Sequence, residues 1–294
     1  MNESNTGYLP EGIGSMRREL RVLVTGGAGF IGSHLVDRLM REGYKVTVLD
    51  NLSSGSLRNV ESWLGNEHFR FIRGDLKEKR IAEMVVKNTQ LVFHFAANPE
   101  VRVGETDPSI HFEENLVATF RLLEALRKET SLRAIIFAST STVYGEATLI
   151  PTPEGYAPLI PISTYGASKL GCEALIGAYA YTFGLRALIL RLANIVGPRA
   201  TAGVIIDFIQ KLKVDPSRLE ILGDGTQKKS YLHIDDCMDA IFCTTNGFLN
   251  SDERIDVYNI GSPDRITVMR IAEIVAEEMG LSPDFITTGG VDGG

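Results

Sequence analysis

The chain has 294 residues, of which 44% are apolar, so it is long enough and apolar enough to bury a substantial core. Its formal net charge of −7 and its lack of any run of five like charges exclude the basic surface that nucleic-acid-binding proteins present. Its longest apolar runs, such as Ala134–Ala138, fall far short of the about eighteen residues that a membrane span requires. We therefore expect a globular protein whose partners are small molecules or copies of itself.

Strands alternate with helices from residue 20 to residue 190, after a polar, glycine-rich stretch at residues 1–19 that resembles a disordered lead or tag. Because each crossover helix must cover a face of the sheet, the alternation predicts an α/β fold with a doubly wound parallel Rossmann sheet. Apolar periodicity predicts strands at Leu20–Thr25, Lys45–Leu49, His68–Arg73, Leu91–Phe95, Ala134–Ala138 and Ala187–Leu190, and helices at Ser33–Glu42, Ile81–Lys87, Phe112–Lys128 and Gly166–Thr182.

Beyond residue 190 the alternation weakens and loops rich in Gly, Pro and Asp separate shorter elements. Residues 191–294 are therefore predicted to form mainly a smaller C-terminal substrate lobe over the carboxyl edge of the sheet. The three cysteines, Cys172, Cys237 and Cys243, form neither a C-x-x-C pair nor an even disulfide framework. They are better explained as buried side chains in a reducing cytoplasm than as metal ligands.

The first candidate site is the glycine loop Thr25–Gly32, which lies between the first predicted strand and the first predicted helix. Glycines allow a tight turn and close backbone approach, so the N–H groups at the helix N-terminus can receive a pyrophosphate. A glycine-rich turn without a ligand is the alternative explanation. The loop alone does not decide between the two.

Asp50 ends the second predicted strand at about the 20-residue separation expected for the carboxylate that binds an adenosine ribose. A carboxylate there accepts hydrogen bonds from the ribose hydroxyls and repels a 2′-phosphate, and no arginine follows it before Arg58. This favours NAD over NADP. A solvated Asp50 in a turn with Asn51 and Ser53 is the alternative.

Tyr165 and Lys169 stand four residues apart at the start of a predicted helix and therefore share one face. An ammonium near a phenol lowers the phenol pKa, which predicts a base that works near neutral pH. An exposed i,i+4 pair is the alternative. A hydroxyl cluster, Ser139–Thr142, ends the preceding central strand, where a doubly wound sheet binds its ligand. Capping of a turn is the other explanation for these hydroxyls, and it suits Ser141 and Thr142 better than Thr140.

In this order, the glycine loop, Asp50, the hydroxyl cluster and the Tyr165/Lys169 pair resemble the extended short-chain dehydrogenase/reductase family over about Arg21–Met279. Further matching segments are Gly74–Leu76, Phe95–Asn98, Asn115, Arg191–Asn194, Val196–Arg199, Leu222–Thr226 and Tyr231–Asp236.

This resemblance implies NAD as cofactor, a catalytic triad of Thr140, Tyr165 and Lys169, and no metal site. The cofactor-binding residues that it implies are Gly26, Gly29, Phe30, Ile31, Gly32, Asp50, Asn51, Ser54, Gly55, Asp75, Leu76, Ala96, Ala97, Asn98, Asn115, Ala138, Tyr165, Lys169 and Ala193. The substrate-binding residues that it implies are Thr140, Tyr165, Asn194, Leu222 and Lys229.

The sugar-nucleotide dehydratases of this family carry Asp-Glu directly after the catalytic Thr, whereas this chain has Ser141 and Thr142. The segment resembles that of UDP-sugar 4-epimerases, which implies epimerisation of UDP-glucose and UDP-galactose through a 4-keto sugar, in galactose metabolism. Another nucleotide-sugar decarboxylase or epimerase, and a non-catalytic NAD-binding regulator, are the alternatives.

The resemblance also implies a homodimer formed through Phe112–Lys128 and Gly166–Thr182. Two departures from the family pattern remain. Lys229 replaces an Arg that contacts the nucleotide, and a lysine lacks the bidentate fork of a guanidinium. The usual C-terminal continuation with a further Arg is expected to be missing.

Overall fold

A computed structural model describes residues 20–289, so the predicted lead at residues 1–19 lies outside the described residues. The strands are β1 (Arg21–Thr25), β2 (Lys45–Asp50), β3 (Phe69–Arg73), β4 (Leu91–His94), β5 (Ala134–Thr140), β6 (Ala187–Leu192), β7 (Asn194–Val196), β8 (Arg218–Ile221), β9 (Lys228–Lys229), β10 (Tyr231–His233), β11 (Ile255–Ile260), β12 (Ile266–Thr267) and β13 (Asp284–Thr287). The main helices are α1 (Phe30–Arg41), α2 (Lys79–Val85), α3 (Ala118–Leu126), α4 (Thr164–Phe183), α5 (Val204–Val214), α6 (Ile234–Leu249) and α7 (Val268–Glu278).

Seven strands form one parallel sheet in the order β11-β6-β5-β4-β1-β2-β3, which confirms the predicted doubly wound α/β fold. The strand order reverses between β1 and β4. Strands β2 and β3 extend the sheet on one side of β1, and β4, β5, β6 and β11 extend it on the other. In such sheets the ligand binds in the crevice at the carboxyl ends of the strands flanking this point. The strands β5 and β6 are buried at every position, as expected for strands covered on both faces.

Two apolar cores cover the two faces of this sheet. Helices α1 and α6 pack on one face, through side chains such as Leu35 and Ile241. Helices α2, α3 and α4 pack on the other face, through side chains such as Leu122 and Ile176. The two layers together bury the sheet and leave its carboxyl edge for the site.

The two long helices depart from their predicted bounds for local reasons. Helix α4 begins at Thr164 because the Ser163 hydroxyl accepts a hydrogen bond from the Gly166 N–H at 3.1 Å, and it ends before Gly184, whose φ is +74°. The predicted helix Phe112–Lys128 instead opens with a π-helical segment, Phe112–Val117, before α3. Such segments are frequent at functional sites.

The C-terminal part of the chain is divided between two bodies. Helices α5 and α7 and strand β8 enclose a separate small core that includes Phe208, Ile221 and Ile271. Strand β11, however, pairs with β6, and α6 packs on the main sheet. The boundary predicted at residue 190 therefore does not divide the chain cleanly. Within residues 20–289, no helix is both long and apolar enough to cross a membrane.

Candidate active site

The glycine loop holds the N-terminus of α1 against the ends of β1 and β4. A Cβ on Gly26, whose φ is +70°, would lie 2.6 Å from the Ala96 nitrogen, and one on Gly32 would lie 2.1 Å from the Gly26 oxygen. Only glycine fits these two close approaches. Gly29 is the N-cap residue of α1 and supplies no side-chain cap. The first-turn N–H groups, including those of the predicted cofactor residues Phe30 and Ile31, are thus left for an anion.

Asp50 lies at the carboxyl end of β2, is 7% exposed and faces the glycine loop. Its Oδ2 accepts a hydrogen bond from the Ala28 N–H at 2.9 Å, and its Oδ1 accepts one from the Leu52 N–H at 2.8 Å. Each carboxylate oxygen retains a second acceptor position. Among residues 20–289 no cation forms an ion pair with this carboxylate. The arrangement fits a ribose diol and opposes a 2′-phosphate, so these residues fit NAD.

Several other residues that are predicted to bind the cofactor lie close to Asp50. The Asn51 amide donates to Asp75 Oδ2 at 3.2 Å, and a Cβ on Gly55 would lie 3.1 Å from Asp50 Oδ1. Leu76 is buried under this turn, whereas Ser54 is exposed. The structure therefore brings this predicted set together, with Ser54 at its solvent side.

Asn115 connects the loop Phe95–Asn98, which is predicted to bind the cofactor, to the helix that carries Tyr165. Its Oδ1 accepts a hydrogen bond from the Asn98 N–H at 2.7 Å, and its Nδ2 donates to the Ser168 hydroxyl at 2.9 Å. That hydroxyl donates in turn to the Tyr165 carbonyl at 2.7 Å. In the same loop, the Ala96 N–H donates to the Thr25 hydroxyl at 3.3 Å. The loop with Ala97 is thereby attached to both β1 and α4.

The predicted triad is assembled where β5 ends and α4 begins. The Thr140 hydroxyl hydrogen-bonds the Tyr165 phenol, and Lys169 lies one turn further along α4 with 2% of its surface exposed. This burial excludes the alternative of an exposed i,i+4 pair. Ala138, on β5, and Ala193, whose N–H donates to the Ile260 carbonyl at 2.8 Å, flank the triad at the ends of the strands.

The predicted lowering of the phenol pKa is wrong for the protein without ligands. Burial raises the pKa of Tyr165 to about 12, and the Thr140 hydrogen bond opposes this only in part. Burial also lowers the pKa of Lys169 to about 8, against the opposing influence of Cys172 and Glu173. The Lys169 ammonium lies 4.2 Å from the centre of the Phe137 ring. Desolvation therefore outweighs the attraction that the spacing alone suggested.

Thr140 also caps the turn that follows β5, which the sequence attributed more readily to Ser141 and Thr142. Its hydroxyl accepts hydrogen bonds from the Thr142 N–H and the Thr142 hydroxyl, both at 3.2 Å. Capping of the turn and a hydrogen bond to Tyr165 are therefore compatible roles for the Thr140 hydroxyl. The turn fixes the Thr140 oxygen next to the Tyr165 phenol.

The residues predicted to bind substrate lie beyond β6. Asn194 follows Leu192, which pairs with Thr140 across the sheet, and its amide donates to the Ser230 carbonyl at 2.9 Å. Leu222 directly follows β8 and is 50% exposed. Lys229 is on β9, and burial lowers its pKa. The contact of these three residues with one ligand stays a prediction.

A buried polar network behind the triad was not predicted. The Arg191 guanidinium donates three hydrogen bonds to the Glu173 carboxylate, the shortest at 2.7 Å, and another to the Tyr144 hydroxyl at 2.9 Å. Glu173 also accepts a hydrogen bond from Ser139, the residue before Thr140. The one available signal was Glu173 following Lys169 by four residues on the same helix face.

His94 is a second buried group that sequence reasoning missed. Its Nδ1 lies 2.7 Å from the Thr25 hydroxyl, and its Nε2 lies 2.9 Å from the Thr119 hydroxyl. Burial lowers its pKa to about 3, so the imidazole is neutral. It supports the Thr25 hydroxyl that holds the Ala96 loop. Among residues 20–289, no group of three or more His, Cys, Asp or Glu is arranged to hold a metal ion.

Comparison with known proteins identifies the family of this chain. A profile of the NAD-dependent epimerase/dehydratase family matches residues 22–261. A crystal structure of a UDP-galactose 4-epimerase is 47% identical, with a TM-score of 0.84, and the match covers 93% of this chain and 88% of that one.

Two curated relatives show the breadth of the family. The UDP-glucose 4-epimerase of Mycolicibacterium smegmatis is 33% identical over 273 residues, which are 90% of this chain and 85% of that protein. UDP-glucuronic acid decarboxylase 1 of Xenopus tropicalis is 30% identical over 280 residues, which are 93% of this chain and 63% of that protein. The predictions of the family, of NAD as cofactor and of an enzyme are thus confirmed. The chain belongs to the NAD-dependent epimerase/dehydratase family, whose members act on nucleotide sugars.

Proposed function

We propose that the protein interconverts UDP-glucose and UDP-galactose by oxidation and re-reduction at C4 of the hexose. One observation carries this proposal. Thr140, Tyr165 and Lys169 are assembled at the sheet edge beside the cofactor loop, while Ser141 and Thr142 follow the catalytic hydroxyl. A hydroxyl pair supplies neither the acid nor the base that elimination of water requires, which argues against dehydration and favours oxidation at a sugar carbon and its reversal.

The Tyr165 oxygen is the proposed base for the 4-hydroxyl proton. Bound NAD supplies a hydride acceptor that returns the same hydride, so the cofactor is regenerated in each turnover. With a pKa of about 12 the free phenol is protonated at neutral pH, and so its pKa must fall when the site fills. The Thr140 hydrogen bond favours the phenolate, and in the proposed mechanism the Lys169 ammonium adds a positive charge one helical turn away.

The phenolate and Lys169 define the pH range of this chemistry. Lys169, with a pKa of about 8, is charged at pH 7 and loses its charge as pH rises above that value. Loss of this positive charge removes a group that stabilises the phenolate. The Thr140 hydroxyl is held by the Thr142 N–H and does not titrate, so its proposed role is to position the phenol.

The test is incubation of the purified protein with a panel of UDP-, dTDP- and GDP-sugars, without added NAD, followed by chromatography of the 4-epimers. We expect UDP-galactose to form from UDP-glucose. Tyr165→Phe keeps the ring and removes the proton acceptor, and we expect its turnover to fall by about a hundred- to ten-thousand-fold while NAD stays bound. A Tyr165→Phe enzyme within about threefold of wild type would refute the mechanism.

The same panel separates the alternatives. Release of carbon dioxide from UDP-glucuronic acid would identify a decarboxylase, the activity of the Xenopus relative. A protein that binds NAD and converts no sugar would be a regulator. The assembled triad argues against the regulator, because a sensor needs no base at the start of α4.

We also propose that the protein is a homodimer and acts in the cytoplasm. The leucines of α3 and Ile176 of α4 face the core and cannot meet a partner. Four other apolar side chains of these helical segments, Phe112, Phe120, Tyr181 and Phe183, are between 38% and 69% exposed and give such an interface its apolar surface. Light scattering at micromolar concentration tests the dimer, and a monomer would refute it.

A further inference from the structure

A buried carboxylate, Asp37, lies on α1, the helix whose N-terminus faces the glycine loop, and it is 6% exposed. Its two oxygens are engaged by donors from two distant segments of the chain. Oδ1 accepts a hydrogen bond from Trp63 Nε1 at 2.7 Å, and Oδ2 accepts one from the Arg199 guanidinium at 2.8 Å. The triad mechanism uses none of these three side chains.

Trp63 belongs to the segment of residues 51–64, called here the adenosine-side segment because it follows Asp50. Two hydrogen bonds attach this segment to the glycine loop. The Ser56 N–H and the Asn59 amide both donate to the Ala28 carbonyl, at 3.0 and 2.9 Å. The indole then attaches the far end of the segment to Asp37. The adenosine-side segment is thus anchored to the glycine loop through Ser56 and Asn59 and to α1 through Trp63.

Arg199 belongs to the segment of residues 194–203, called here the substrate-side segment because it begins at Asn194. Its guanidinium donates to the Ser33 hydroxyl at 3.1 Å as well as to Asp37, so it spans two residues of α1. Next to it, the Pro198 carbonyl lies 3.0 Å from Nε2 of His34, also on α1. The φ of Arg199 is +68°, a conformation that non-glycine residues adopt only when their surroundings hold them there.

We propose that Asp37, Trp63 and Arg199 are positioning residues that couple the cofactor site to the substrate site. A ligand that orders either segment also orders the shared Asp37 carboxylate. This reduces the free energy that is needed to order the other segment. NAD and the nucleotide part of the substrate therefore bind with positive cooperativity, and the coupling is equal in both directions. The cofactor half of this inference rests on NAD binding, and the substrate half rests on the proposed function.

The chain offers a matched control on the same carboxylate. Arg41 Nη2 lies 3.9 Å from Asp37 Oδ2, and 68% of its side chain is exposed. It stands on α1 itself and reaches neither segment. Arg41→Ala removes a positive charge beside Asp37 without breaking a connection between the two sites.

The experiment measures the affinity of the nucleotide-free protein for NAD by calorimetry, with and without saturating UDP. We expect UDP to tighten NAD binding by about fivefold or more in wild type and in Arg41→Ala. In Arg199→Ala and Trp63→Phe the factor should fall to about one. The factor for Arg199→Lys should lie between those of wild type and Arg199→Ala, because an ammonium cannot span Asp37 and Ser33 as a guanidinium does. Equal coupling in wild type and Arg199→Ala, or none in wild type, would overturn the proposal.

A second measurement needs no substrate. Trp63 is the only tryptophan of the chain, so the tryptophan emission reports on this residue alone. Arg199→Ala should shift the emission of Trp63 and weaken NAD binding by about threefold or more, whereas Arg41→Ala should change neither. If wild type does not bind UDP, the proposed nucleotide is wrong and this measurement alone decides the inference. Unchanged emission and NAD affinity would then overturn it. If Arg199→Ala does not fold, Arg199→Lys and Trp63→Phe serve in its place.

Discussion

Replacement of Lys169 by methionine should stabilise the nucleotide-free protein while it impairs catalysis. Burial lowers the pKa of this lysine from 10.5 to about 8 because the folded protein disfavours its ammonium. At 1.36 kcal/mol for each pH unit, the difference corresponds to about 3 kcal/mol of lost stability wherever the ammonium is charged in both states. A methionine keeps the apolar stem and carries no charge.

The gain is reduced by the contact with Phe137. The ammonium lies 4.2 Å from the centre of this ring, and a desolvated cation–π contact contributes about 1 to 2 kcal/mol. Desolvation is the larger effect. The net gain expected for Lys169→Met is therefore about 1 to 2 kcal/mol in the free energy of unfolding at pH 7.

The stability gain of Lys169→Met should decrease as pH rises. Below pH 8 the lysine is protonated in the folded and the unfolded chain, so the penalty is fully present in wild type. Between pH 8 and 10.5 the folded chain loses the proton first, and wild type regains stability as pH rises. The advantage of Lys169→Met should shrink over that interval.

Urea unfolding of both proteins, stripped of nucleotide, at intervals from about pH 7 to pH 10 provides the measurement. The difference between the two proteins is the relevant quantity, because Tyr165 is present in both. A Lys169→Met protein that is less stable than wild type at pH 7 would refute the reasoning. So would a difference that stays constant over the whole range.

Three further outcomes test the other buried groups. Asp50→Asn removes the charge and keeps the side-chain size and one of the two acceptor oxygens, so the ratio of NADP to NAD dissociation constants should fall by about tenfold, and an unchanged ratio would contradict the ribose assignment. Arg191→Met leaves the Glu173 carboxylate buried without its cation and should cost about 3 to 5 kcal/mol in urea unfolding, part of which Glu173→Gln should restore in the double variant. Among residues 20–289, the buried Thr245 hydroxyl has no hydrogen-bond partner, so Thr245→Val should raise the free energy of unfolding by about 1 kcal/mol, and a loss of stability would argue against this.

The amino-acid sequence by itself determined the architecture of the cofactor half. Apolar runs at β1 to β6 predicted the strands because a parallel sheet covered on both faces requires continuous burial. The positions of the glycine loop and of Asp50 could be predicted from the sequence, because each depends on a local structural requirement. Gly26 must adopt positive φ, and the carboxylate must end the second strand. The grouping of Thr140 with Tyr165 and Lys169 was implied by the family resemblance, whereas the sequence alone placed only Tyr165 and Lys169 on one helix face.

The tertiary structure decided everything that depends on segments distant in the chain. Strand β11 joins the main sheet because it pairs with β6, which no local pattern distinguishes from pairing within a separate lobe. The pKa of Tyr165 moves up and not down because burial outweighs the effect of its partners. Arg199 reaches Asp37 across 162 positions of sequence. Spacing along a helix predicts which side chains share a face, whereas desolvation and pairing depend on what the folded chain packs against that face.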